Sequence, residues 1–224
     1  MQQQSLDLNR LLGSDSNSEA KAKTEVESEP LLDRRSELPL TWVKGYLTPA
    51  QQMALLREVQ GYPFESPEIE VYGKRHRIPR SQVWFGDTGC DTKYSGLLVK
   101  ALPWPKYADR LRQKLKRDFS LESNGVLVNR YVDGKESMGW HCDNEPEFSV
   151  GSDIASITLG ATRDFIIRDK VTHEKQTFAL QSGDLLIMHW PMQDRWEHAL
   201  PKRLKATEPR INYTFRRVIA DYFG

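Results

Sequence analysis

The chain reads as an α+β protein whose second half is an antiparallel sandwich of the jelly-roll type. Three observations predict this. Seven short stretches after residue 125 (126–131, 154–160, 163–168, 175–180, 184–190, 195–199 and 210–218) are rich in Ile, Val, Leu or aromatic residues and bounded by Gly, Asp or Pro. They follow one another without helical spacers, which indicates antiparallel pairing. Two helical patterns precede them.

Residues 1–37 stand apart from the rest. With Leu38 they carry eight acidic and five basic residues and no aromatic residue, and Ser, Glu and Lys dominate from Ser14 to Glu29. Such a segment buries too little apolar surface to offset its ordering entropy, so a disordered tail is expected over 1–37 and a folded domain over 38–224. The tail carries −3 and the remainder +4, a mildly basic balance that suits a polyanionic partner without requiring one. No stretch has the length of a membrane-spanning helix, and the amino terminus lacks the apolar core of a signal peptide. Two cysteines, Cys90 and Cys142, make no disulfide framework, so a reducing cytoplasmic or nuclear setting is the expectation.

Within the folded part, residues 38–125 are expected to hold the helices and 126–218 the sandwich. Thr48-Pro49 supplies an N-cap and a first-turn proline for a helix running to about Gln60. Glu70 to Lys74 reads as a strand meeting a turn at Tyr72-Gly73, with the basic run Lys74 to Arg80 behind it. Residues 82–85 form a short strand and 86–94 a loop. The pattern from Pro105 to Arg117 is amphipathic, with Tyr107, Leu111 and Leu115 on one stripe and Lys106, Arg110, Lys114 and Arg117 largely off it. Gly183-Asp184 marks a turn between two of the later strands.

The last strand is the most informative. Residues two apart share a strand face, so Arg210, Asn212, Thr214 and Arg216 line one side and Ile211, Tyr213 and Phe215 the other. The apolar side is ordinary core. Two guanidinium forks, an amide and a hydroxyl in one row suit a small dicarboxylate, whereas an ion pair would account for one arginine only. Upstream, His141-Cys142-Asp143 presents an imidazole and a carboxylate two apart, which one divalent ion can accept together. A third ligand could come from His173, His189 or His198. His173 lies in a polar hairpin turn. His189 continues an apolar strand, where a hydrogen-bonded core role suits it. His198 falls on the strand just before Arg210. Two histidines and one carboxylate leave coordination positions open, the arrangement of non-haem Fe(II) oxygenases.

The series Asn129-Arg130-Tyr131, His141-x-Asp143, His198 and Arg210-x-Asn212-x-Thr214-x-Arg216 resembles the AlkB family of Fe(II)- and 2-oxoglutarate-dependent dioxygenases, and most closely its members that repair alkylated bases in duplex DNA. The resemblance extends from about Val71 to Val218 and includes Ile154 to Gly160 and Arg163-Asp164-Phe165, similar to the central jelly-roll strands. It implies a double-stranded β-helix core with N-terminal helices and a nucleotide-recognition lid. By that resemblance His141, Asp143 and His198 hold Fe(II), and Asn129, Tyr131, Arg210, Asn212, Thr214 and Arg216 hold 2-oxoglutarate.

The implied activity is oxidative demethylation of N-alkylated bases such as N1-methyladenine and N3-methylcytosine in DNA, with O2 as co-substrate and formaldehyde, succinate and CO2 released. A buried base must leave the stack to react. Val71-Tyr72-Gly73, with basic residues including Arg80 behind it, resembles the hydrophobic finger and phosphate grip of the duplex-repair members. Tyr94 matches an aromatic that stacks on the flipped base. Glu145 offers a carboxylate to a cationic base. Asn144 stands where an acidic residue is common in the family, and Trp140 and Cys142 also depart from its pattern. Gln3-Gln4-Ser5-Leu6-Asp7-Leu8 resembles peptides that dock on bacterial sliding clamps. A monomer acting on double- or single-stranded DNA is expected. The alternatives are the same chemistry on RNA, protein or lipid, and a non-catalytic nucleic-acid-binding module, which would show a broken triad or arginine strand.

Overall fold

A computed structural model describes residues 32–33, 38–71, 73–94 and 96–224. In chain order the elements are β1 (Leu32–Asp33), β2 (Leu40–Val43), α1 (Pro49–Val59), β3 (Glu68–Val71), β4 (Lys74–Arg77), β5 (Ser81–Gly86), β6 (Thr92–Tyr94), β7 (Leu97–Val99), α2 (Lys106–Phe119), β8 (Gly125–Tyr131), β9 (Met138–His141), β10 (Ile154–Gly160), β11 (Arg163–Asp169), β12 (Lys175–Leu180), β13 (Leu185–Met188), α3 (Met192–Arg195), β14 (Trp196–Leu200) and β15 (Arg210–Arg216). The expected disordered tail and clamp-like peptide fall on residues that, apart from the two of β1, lie outside the described ones.

The strands form a seven-stranded sheet in the order β1-β2-β13-β10-β15-β8-β5 and a four-stranded sheet in the order β12-β11-β14-β9. Every pair of neighbouring strands in the two sheets runs antiparallel, as the absence of helical spacers predicts. Strand parity sorts the side chains of the large sheet. Ala155, Ile157 and Leu159 of β10, Leu185 and Ile187 of β13, and Ile211, Tyr213 and Phe215 of β15 pack with Leu55 and Val59 of α1 and Ala108, Leu111 and Leu115 of α2. The opposite face looks toward the small sheet, where Ile154, Leu186 and Met188 meet Phe165, Ile167, Phe178 and Trp196. The sandwich interior is therefore apolar at one end. At the other end the same parity places the polar residues of β15.

Several local rules hold as read. Thr48 caps α1, its Oγ1 accepting from the Gln51 N–H while Gln51 Oε1 accepts from the Thr48 N–H, a complete capping box with Pro49 at the first helical position. Gly183 sits at φ +89°, a left-handed backbone that strains any residue with a Cβ, so glycine suits the turn before β13. Gly73 (φ +73°) closes the two-residue turn of the β3–β4 hairpin, where Val71 pairs with Lys74.

Three expectations need revision. The sandwich is not confined to 126–218, because β1, β2 and β5 also belong to the large sheet. The strand expected over 184–190 stops at Met188, and the chain turns there, with the Met192 N–H donating to the His189 carbonyl. The stretch expected as a loop over 86–94 ends in β6, which pairs with β7. His173 occupies the exposed β11–β12 turn, as its polar neighbours indicated.

Asp169 organises that turn. Its Oδ1 accepts from the Val171 and Thr172 N–H groups (2.7 and 3.0 Å) and its Oδ2 from Arg195 Nε (2.6 Å). These donors, the backbone ones first, hold its carboxyl down at about 2. A depressed carboxylate contributes stability above its unfolded value of about 3.9 and loses it as pH falls through about 2. Asp169→Asn therefore melts at a lower temperature than the parent at neutral pH, and the gap closes as pH falls through that window. A gap independent of pH in thermal melts would contradict this. Separately, Leu115→Ala empties a fully buried site between α2 and the large sheet. It should destabilise the fold by about 2–5 kcal/mol in denaturant titration.

Candidate active site

His141 ends β9 and His198 lies on β14, and the register pairs these two residues directly. Their ring centroids are 4.1 Å apart. Asp143, two residues beyond His141, brings its carboxylate to 3.8 Å from each Nε2. The three ligand atoms lie within 4.8 Å of one another. His198 and Asp143 are buried and His141 is partly open, so the cluster has one accessible side. Of the three histidines left open as the third ligand, the fold brings only His198 to this cluster. His189 instead hydrogen-bonds Asp153 (2.7 Å) and Thr41 (2.8 Å) at the end of β13, partly exposed rather than in the core.

The protonation states suit a cation. His141 Nδ1 lies 2.9 Å from the Gly139 carbonyl, which can only accept, so Nδ1 carries the proton and Nε2 keeps its lone pair. Burial lowers the pKa of His141, and burial together with His141 brings that of His198 down to about 3, so both rings are neutral at physiological pH. Burial opposes ionisation of Asp143, but the Arg216 guanidinium beside it outweighs burial and holds the carboxyl below the usual range. The Asp143 N–H donates to Gln193 Oε1 on α3 (3.0 Å), which orients the loop carrying the carboxylate.

Beside this cluster runs the polar row of β15, flanked by β10 and β8. Arg210 Nη2 donates to Thr158 Oγ1 (2.9 Å) and Asn212 Oδ1 (2.8 Å), Asn212 Nδ2 donates to Thr214 Oγ1 (2.8 Å), and Ser156 Oγ donates to Asn212 Oδ1 (3.0 Å). Arg216 Nη2 donates to Asp143 Oδ1 (2.6 Å), tying the row to the metal cluster. Tyr131 lies buried with the Arg210 guanidinium 5.7 Å from its ring centre. The expected cofactor residues Asn129, Tyr131, Arg210, Asn212, Thr214 and Arg216 all line one cleft together with His141, Asp143 and His198. Ser156 and Thr158 belong to the same wall, although the sequence presents them as part of an apolar strand; their shared parity with Ile154 is the available signal.

The row fits an anionic ligand. Arg210 is 2 % exposed, burial lowers its pKa to about 10, and its Nε has no hydrogen-bond partner. The buried Nε of Arg216 also lacks one. Unsatisfied guanidinium N–H groups in a polar cleft call for carboxylate oxygens.

The residues expected to meet a substrate divide. Glu145, on the loop after Asp143, lines a wide cleft with Trp84, Leu127, Val99 and Arg216. Its Oε2 is buried without a hydrogen bond, and burial raises its pKa, with Asp143 adding to the rise and Arg216 opposing it. Asn144 is exposed beside it. Val71 and Gly73 frame the β3–β4 turn, whose Tyr72 lies outside the described residues, as does the side chain of Tyr94 at the end of β6. Arg80 departs from expectation. It is 3 % exposed and its Nε donates to Asn129 Oδ1 (3.1 Å), so it supports the cofactor wall from within and is no surface phosphate grip. Arg75, His76 and Arg77 of β4 are exposed instead.

A two-histidine, one-carboxylate face beside a buried arginine row defines a non-haem iron oxygenase that uses a keto-dicarboxylate. Residues 39–216 match the 2OG-Fe(II) oxygenase superfamily, and the chain belongs to it. It is 38% identical over 173 residues to the Bos taurus protein named DNA oxidative demethylase ALKBH2, covering 74% of this chain and 62% of that one. The chain thus spans less than two thirds of the length of that relative. The Mus musculus protein of the same name is also 38% identical over 173 residues, 74% of this chain and 72% of its own. The solved structure of OsALKBH1 superposes with a TM-score of 0.56 at 20% identity, covering 82% of this chain and all of that one, a likeness of fold. Membership in the superfamily implies Fe(II) and 2-oxoglutarate as cofactors, and His141, Asp143 and His198 fit the iron.

Arg210→Met keeps a long apolar stem but removes the fork. It should weaken 2-oxoglutarate binding by about 2–5 kcal/mol in calorimetry with Mn(II) in place of iron. Arg210→Lys should recover only part of the loss, because an ammonium cannot bind bidentately. Wild-type affinity in the methionine variant would remove the assignment.

Proposed function

We propose that the chain oxidatively removes alkyl groups from ring nitrogens of DNA bases, N1-methyladenine and N3-methylcytosine among them, consuming O2 and 2-oxoglutarate and releasing formaldehyde, succinate and CO2. The carrying observation is the wide cleft that adjoins the metal cluster through Arg216 and has the Glu145 carboxylate in its wall. Trp84, Leu127 and Val99 give it apolar sides on which a flat ring can pack, while Glu145 faces the positive charge that N1- or N3-methylation creates. The names of the bovine and murine relatives point to the same substrate class.

The residues divide the work. His141, Asp143 and His198 would hold Fe(II), and Arg210, with Asn212 and Thr214 fixing its orientation, would bind the far carboxylate of 2-oxoglutarate. When bound, the iron and keto acid together activate O2 for hydroxylation of the methyl group, after which the hydroxymethyl base expels formaldehyde. Arg216 holds Asp143 ionised and oriented. A base reaches this depth only outside the helical stack. Tyr72 at the β3–β4 turn is assigned to fill the vacancy, Tyr94 to stack on the flipped base, and exposed Arg75 and Arg77 to meet phosphates in place of Arg80. The chain is taken to act as a monomer, with Gln3 to Leu8 as a peptide for docking on a sliding clamp. Among the described residues no helix is long and apolar enough to cross a membrane.

The test incubates the pure protein with Fe(II), ascorbate, 2-oxoglutarate and single- or double-stranded oligonucleotides bearing N1-methyladenine. Mass spectrometry should show loss of one methyl from the DNA. Intact methyl groups on every DNA substrate, with 2-oxoglutarate still bound, would overturn the reading, and turnover of RNA alone would move the activity to that substrate.

A further inference from the structure

Glu147 follows Glu145 by two residues on the loop that begins at Asp143, yet it lines neither the cofactor cleft nor the wide cleft. It is 1 % exposed. Its Oε1 accepts from Thr92 Oγ1 (3.0 Å) and from the Lys93 N–H (2.8 Å), both at the start of the β6–β7 hairpin. Its own backbone is fixed on the other side. The Ile219 N–H donates to the Glu147 carbonyl (2.8 Å), the Ser149 N–H donates to the Arg217 carbonyl (2.8 Å), and Phe148 bridges to Val218. The loop is thereby stitched to the chain leaving β15, one residue beyond Arg216 and its ion pair with Asp143.

The hairpin that Glu147 holds is short. Its strands have three residues each and share three pairs, too few to hold a position unaided. Yet Lys93, Leu97, Leu98 and Val99 of this hairpin form one wall of the wide cleft. An apolar side chain at 147 would fill the space at less desolvation cost than a carboxylate. A carboxylate adds directed acceptor geometry, and here that geometry sets the hairpin against the metal loop.

We infer that Glu147 is a positioning residue for substrate: it fixes the β6–β7 wall of the base cleft relative to the loop of Asp143, so that the wall on which a base packs is in place before the base binds. The inference rests on the function proposed above. Asp143, Glu145 and Glu147 then form an alternating series on one loop, for metal, base and wall in turn.

Glu147→Met removes the acceptor and keeps the bulk, whereas Glu147→Gln retains one acceptor oxygen. In the demethylation assay Glu147→Met should raise KM for the methylated oligonucleotide on the order of tenfold, the worth of lost hydrogen bonds to a charged group. Its kcat and its 2-oxoglutarate affinity should stay near the parent values, and Glu147→Gln should restore most of the KM. Amide hydrogen exchange should show lost protection at Lys93 and along β7, with β15 unchanged. Thr92→Val cuts one of the bonds from the hairpin side. It should raise KM in the same sense without adding in full to Glu147→Met, and it decides the matter if the methionine variant does not fold. A parent protein that leaves all methylated oligonucleotides intact overturns the function and this inference together. Parent turnover with unchanged KM in Glu147→Met and Thr92→Val, or a fall in kcat and 2-oxoglutarate affinity instead, overturns the inference alone.

Discussion

Two guanidinium groups buried on a central strand are the constraint around which this molecule is arranged. Arg210 and Arg216 lie on β15, which has β10 on one side and β8 on the other, and both are nearly inaccessible to water. Burying a charge is costly unless hydrogen bonds and countercharges replace its solvent. The replacements here come from three places. Thr158 of β10 and Asn212 of β15 accept from Arg210, and Asp143 takes Arg216. What these groups leave unsatisfied are the buried Nε donors of both arginines, and the family's 2-oxoglutarate carries carboxylates of the kind such donors bind. The energetics of the fold and the chemistry of the cofactor are in this sense one problem.

The same constraint explains why the sandwich interior is asymmetric. One strand parity sends Ile154, Leu186 and Met188 to an apolar interior with Phe165, Ile167 and Phe178, and the continuation of that face on β10, β15 and β8 carries Ser156, Thr158, Asn212 and Asn129. The apolar end gives rigidity, and the polar end inherits it. The His141 and His198 pair of the small sheet meets the polar row of the large one across one cleft, so the site is positioned by the packing of two sheets and not by a flexible loop. Only Asp143 lies on a loop, and Gln193 and Arg216 both restrain it.

Much of this was legible in the sequence because period-two alternation converts spacing directly into a shared face. That logic places Arg210, Asn212, Thr214 and Arg216 together, and likewise Asn129 with Tyr131 and His141 with Asp143. It fails where the pattern is short or mixed. Met138 to His141 contains a glycine and little alternation, so β9 is invisible although it carries a metal ligand. Leu40 to Val43 is too brief to announce itself as a member of the large sheet. Arg80 ends a basic run that looks like surface, and its burial follows only from the path by which the chain enters β5 and meets Asn129 on β8. Ser156 and Thr158 are hidden by apolar neighbours, since hydroxyl residues are unremarkable in strands. Glu147 gives no local signal at all, because its partners lie 54 and 55 residues away.

The position of β15 bears on how the protein comes into being. The last strand in sequence is inserted between β10 and β8, two strands that have no other partner on those sides. During synthesis both edges emerge long before the residues that close them, and each presents open hydrogen-bonding groups and apolar side chains to whatever is near. Pairings of this sequence separation form slowly, because the chain entropy must be surrendered before the contacts reward it. Until β15 pairs, the large sheet has a gap at its centre. The strand that carries the buried arginine row is thus also the strand that closes both open edges.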